Sequence, residues 1–75
     1  MPYRRFFRQR DLPIRRRAEM IQWASEFIGL MNVVWEYRSE VMVRERWDDW
    51  AMTPKVEFSF EREEDAVAFE LRWRQ

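Results

Sequence analysis

The chain contains no cysteine and no histidine, and only one glycine and one lysine among its 75 residues. Without cysteine there are no disulfides and no thiolate ligands, which agrees with a reducing compartment. Without histidine the commonest base of hydrolytic triads is missing, so Ser25, Ser39, Ser59 and Thr53 have no conventional partner to activate them. Gly29 and Lys55 alone cannot build a phosphate-cradling loop. Long apolar runs are missing too. Nothing approaches the roughly 20 residues of a membrane-spanning helix, and the arginine-rich start lacks the apolar segment of a secretory signal. The sequence therefore reads as that of a cytoplasmic protein without a membrane partner. Carboxylate pairs remain as acid–base candidates, Asp48 with Asp49 and Glu63 with Asp65, but such groups ordinarily solvate a turn or favour a helix start. Glu45, Asp48 and Asp49 do not match a calcium-loop spacing. No metal, no cofactor and no enzymatic activity are expected.

What the chain has is rings and guanidinium groups. Five Trp, six Phe and two Tyr supply large buried area per residue, one way for a short chain to build an adequate core. The length suits a single domain over 1–75. Formal net charge is zero, but it is distributed unevenly. Residues 1–17 hold seven arginines against one acid, Asp11, and the remainder carries the balancing negative charge.

Residues 1–10 keep no clean period, because Tyr3, Phe6 and Phe7 fall out of step; they read as a basic arm or an edge strand. Asp11, Leu12 and Pro13 form a helix start, with Asp11 as cap and proline in the first turn. Ile14, Ala18, Ile21, Ala24, Phe27 and Ile28 then recur at helical spacing, Met20 and Trp23 widen the stripe, and Gly29 follows as cap. From Val33 to Trp47 apolar residues favour odd positions, predicting half-buried strand. The length suggests a hairpin broken at about Arg38 to Glu40, although a helix capped by Asn32 also fits. Val56, Phe58 and Phe60 alternate as a strand after the break at Thr53 and Pro54. Glu61, Glu63, Glu64 and Asp65 open a second helix whose apolar side is Ala66, Phe69 and Trp73 flanked by Val67 and Leu71. The expected fold is α+β, a small antiparallel sheet of a hairpin and one further strand packed against two amphipathic helices.

The run Val56 to Trp73, with its aromatic strand, acidic turn, Asp65-Ala66, Phe69 and closing Leu71-Arg72-Trp73, resembles small bacteriophage proteins of unknown function. Trp23 through Gly29 and Trp35 are loosely similar to their upstream part, whereas Ser39 to Thr53 has no counterpart. The resemblance brings no functional residues. It implies a phage or prophage origin and a role in redirecting a bacterial host.

Two groups of residues are candidates for contact. Trp47, Trp50 and Tyr37, near Trp35, belong to the residue types that dominate protein interfaces, and Trp47-Asp48-Asp49-Trp50 cannot easily bury both rings and both acids. Arg4, Arg5, Arg8, Arg10, Arg15, Arg16 and Arg17, interleaved with aromatics, have the composition of a nucleic-acid surface. The leading expectation is a small non-enzymatic protein that docks on a host or phage protein and modulates it. RNA or DNA binding through the arginines, and a homo-oligomeric structural role, are the alternatives.

Overall fold

A computed structural model describes residues 1–44, 46 and 51–74. The N-terminal segment is strand β1 (Tyr3–Arg8), not a free arm, and a single 3-10 turn at Gln9–Asp11 leads to helix α1 (Ile14–Phe27). Strand β2 (Trp35–Val43), strand β3 (Thr53–Phe60) and helix α2 (Glu63–Arg72) follow. The three strands form one antiparallel sheet in the order β1-β3-β2. The α+β class, with a small sheet and two helices, is as the sequence predicts.

Both helices lie on one side of the sheet. Cross-strand rows on that side place Tyr3 opposite Phe60 and Trp35, and Arg5 opposite Phe58 and Tyr37. Phe69 of α2 lies 4.6 Å from the Phe58 ring and 5.1 Å from that of Phe60, and Trp23 of α1 stands 6.1 Å from Phe69. Phe7 meets Phe58 edge-on at 6.0 Å. Leu12, Met20, Ala24, Val56, Ala66 and Trp73 complete the buried set. Offset and edge-on ring pairs of this kind add stabilisation beyond the area they bury.

The hairpin is formed by β2 and β3; the sequence placed it within residues 33–47. What reads as a break at Arg38 to Glu40 is a β-bulge: Arg38 faces Glu57, but Val41 already faces Lys55, so β2 carries one extra residue. A bulge shifts the alternation by one. Trp35 and Tyr37 therefore point to the helices, whereas Val41 shares the opposite face with Lys55 and Glu57. Asn32 caps no helix; it adopts φ 67° in the turn before β2. Thr53 and Pro54 do not end an element but begin β3. Pro54 is tolerated because β1 ends at the Arg8–Lys55 pair, leaving β3 with one neighbour there.

The first helix is rotated from the expected stripe. Met20 and Ala24 are buried and Ile21, Trp23 and Ile28 half-buried, but Ile14, Ala18 and Phe27 are exposed. In α2 the expected side is the buried one: Ala66, Phe69 and Trp73 are buried, and the flanking Val67 and Leu71 face outward. Asp11 makes no cap. It ends the 3-10 turn, and Pro13 precedes the first helical residue with no side-chain cap. The corner is held instead by Arg17, whose Nε donates to the Leu12 carbonyl and whose Nη2 donates to the Gln9 carbonyl at 3.3 Å. Removing a half-buried charged donor leaves these carbonyls without it, so Arg17→Met is expected to cost about 1–3 kcal/mol. Urea midpoints check this against Arg15→Met, an exposed neighbour whose replacement stays within about 0.5 kcal/mol.

Candidate binding surfaces

The path of the chain sorts its charge between two ends. Strand β1 runs to Arg8, α1 returns antiparallel to it, β2 descends again, β3 rises and α2 descends. One end therefore collects the end of α1, the turn 28–34 and the start of α2; the other collects the end of β1, the 3-10 turn, the start of α1, the pairing of Val43 with Thr53, and the end of α2. Glu26, Glu61, Glu63 and Glu64 lie at the first end together with Arg4 and the ion-paired Arg62, and Arg8, Arg10, Arg15 and Arg74 lie at the second together with Asp11. The first end is thus net acidic and the second net basic, with both signs present at each.

At the acidic end, Phe27, Leu30 and Val33 are 68%, 73% and 62% exposed, and Met31 lies beside them. The backbone that presents them is well tied. Ile28 and Gly29 amides both donate to the Ala24 carbonyl, Val33 and Val34 amides to the Leu30 carbonyl, and the Glu61 amide to the Val34 carbonyl. Trp35 is buried, and its indole Nε1 donates to the Gly29 carbonyl at 2.7 Å. The result is an apolar knuckle on a fixed turn, with Glu26 and Glu61 beside it. Sequence reading took Phe27 and Ile28 as core and missed this surface. Its signal was present in the nine residues Phe27 to Trp35, which contain no charge.

The arginines divide by task. Arg5 faces the helices and its Nε pairs with Glu70 Oε2 at 3.1 Å, linking β1 to α2; at this exposure such a pair is worth at most about 1 kcal/mol. Arg16 lies over the Trp73 ring at 5.3 Å, and Arg17 holds the corner. These three serve the fold. Arg4, Arg8, Arg10 and Arg15 are exposed, and no ion pair engages them among the described residues. Arg8 and Arg10 line, with Gln9, Thr53 and Pro54, an open cleft of about 440 Å³ at the basic end.

Of the proposed aromatic contact group, Tyr37 is half-buried against Phe58, 5.1 Å between ring centroids, and Trp35 is core. Trp47 and Trp50, like Asp48 and Asp49, lie outside the described residues. No group of three or more acidic side chains placed to hold a metal ion occurs among the described residues, and no helix there is long and apolar enough to cross a membrane. The chain matches no known protein-family model, no curated protein and no solved structure.

Proposed function

We propose that this chain is a non-enzymatic binding protein that docks on another protein through the apolar knuckle at Phe27, Leu30, Met31 and Val33. The observation that carries the reading is the exposure of Leu30, at 73%, between two other outward apolar side chains on a turn held by backbone hydrogen bonds. Covering each such side chain is worth about 1.5–3 kcal/mol, and an ordered presenting loop loses little entropy on association. Glu26, next to Phe27, and Glu61, whose amide bonds Val34, flank the knuckle, so the fitting partner surface is an apolar depression rimmed by Lys or Arg. The resemblance to small phage proteins makes a bacterial host or phage protein the partner, and modulation of that partner the consequence.

Leu30→Asp tests this, since the side chain is exposed and its replacement leaves the core intact. Capture from bacterial lysate by the natural chain should retain a defined protein that Arg15→Ala, exposed at the opposite end, also retains and Leu30→Asp loses, with affinity reduced roughly 30-fold or more as for a central contact residue. Undiminished capture by Leu30→Asp rejects the knuckle as the interface. If sedimentation instead shows a self-associated chain that becomes monomeric on Leu30→Asp, the knuckle belongs to a homo-oligomer and the proposal of a foreign partner falls.

A further inference from the structure

The face of the sheet turned away from the helices carries, along β1, Arg4, Phe6 and Arg8 in alternation. Phe6 is 42% exposed, turned outward by the alternation that sends Phe7 into the core. Arg4 and Arg8 each stand about 6.6 Å from it along the strand, one on either side. Beyond Arg8, Arg10 follows in the 3-10 turn, and the two arginines line one cleft. The adjacent rows on this face are Arg4–Ser59–Glu36, Phe6–Glu57–Arg38 and Arg8–Lys55–Val41. Glu57 is buried and Glu36 half-buried, whereas Arg4, Arg8 and Arg38 are exposed, so the accessible charge across these rows is mostly positive.

Unpaired arginines of like charge repel one another, and the chain has as many acids as bases with which to pair them. Arg5, on the helix-facing side of the same strand, is paired with Glu70, whereas Arg4 and Arg8 have no ion pair among the described residues. An aromatic ring between two guanidinium groups along one strand matches a nucleotide strand, in which a base offers a flat face and its flanking phosphates offer charge. We infer that Arg4, Phe6, Arg8 and Arg10 form a single-stranded nucleic-acid strip, Phe6 stacking on one base and the three arginines contacting the backbone. Duplex fits less well, because a base reaches Phe6 only when it is unstacked. The strip lies on a different face from the apolar knuckle, so this inference stands or falls independently of the protein-docking reading.

The test is fluorescence anisotropy of labelled oligo-dT, oligo-U and a mixed-sequence duplex against the purified chain over a salt series. Binding of at least one single strand is expected at low salt, with log affinity falling against log salt at a slope of about −2, as three phosphate contacts to a single strand require. Arg8→Gln should reduce that slope by about 0.7, and Phe6→Ala should weaken binding about 5- to 150-fold. Arg62→Ala, at the acidic end, should change neither. Circular dichroism establishes that each variant is folded. Preference for oligo-U or oligo-dT assigns RNA or DNA within the proposal. No binding at low salt overturns it, as do tighter binding of duplex or equal loss in Arg62→Ala. Binding that Phe6→Ala leaves unchanged shows nonspecific attraction to charge and also overturns it.

Discussion

Phe69→Ala is expected to lower the free energy of unfolding by about 3–5 kcal/mol. The ring is fully buried and is the point at which three elements meet. It lies 4.6 Å from Phe58 and 5.1 Å from Phe60 on the central strand, 6.2 Å from Phe7 on β1 and 6.1 Å from Trp23 on α1. Truncation opens a cavity lined by rings attached to strands, and such a lining cannot collapse without moving the sheet. For a chain of this length total stability is about 4–11 kcal/mol, so the variant lies near the limit of folding at room temperature. Urea denaturation of Phe69→Ala should show a much lower midpoint, while Phe69→Leu, which keeps most of the volume, should lose less. Trp23→Ala, at a half-buried position, should also cost less than Phe69→Ala. A loss below about 1.5 kcal/mol for Phe69→Ala places the centre of the core elsewhere.

The elements of this fold were largely legible because their patterns are local. Alternation at Val56 to Phe60 and acids before Ala66 locate β3 and α2 without tertiary information. The faces that α1 and β2 bury were less legible. Helix α1 offers apolar residues around more than half its circumference, from Ile14 and Ala18 to Met20, Trp23 and Phe27. Which part turns inward depends on the large rings Trp23, Phe69 and Trp73 that fill the space between the layers, and single-residue periodicity does not contain that volume. The bulge in β2 was hidden for a related reason. Apolar odd positions continue through Tyr37 to Val41 and Val43, so the pattern reads as one face although the extra residue sends its two halves to opposite sides.

The candidate sites show the same division. Composition revealed that the first seventeen residues are arginine-rich, but it could not separate an arginine paired with Glu70 from one facing water. That separation follows from the period of two in β1: Arg5 goes to the helices, and Arg4 and Arg8 to the face turned away from them. Phe6 and Phe7, being adjacent, point to opposite sides. This is why the segment showed no clean apolar period while being a strand. The knuckle was legible only as an uncharged stretch, because a run of apolar residues after a helix has the same sequence signature whether it enters the core or passes over it.

Gly29→Ala should destabilise the chain by about 3 kcal/mol, through two effects at one atom. Gly29 has φ +148°, a region that side chains other than glycine rarely occupy and that costs on the order of 1–3 kcal/mol when they do. A Cβ there would also stand 2.6 Å from Val34 Cγ2, well inside contact distance. Neither partner can readily step aside. Val34 is β-branched and half-buried, and its carbonyl accepts from the Glu61 amide; Gly29 donates to Ala24 and accepts from the Trp35 indole. The two effects can be separated in a double-mutant cycle with Val34→Ala, which removes Cγ2 and leaves the backbone term untouched. The steric part should then appear as a coupling of about 1–2 kcal/mol, the double variant being less damaged than the sum of the singles. Strict additivity would mean that the turn relaxes to admit the methyl group and that backbone strain accounts for the whole loss. A cost below about 1 kcal/mol in the single variant rejects the fixed turn itself. It would also remove the preordered presentation of Leu30 and Val33 on which docking by the knuckle depends.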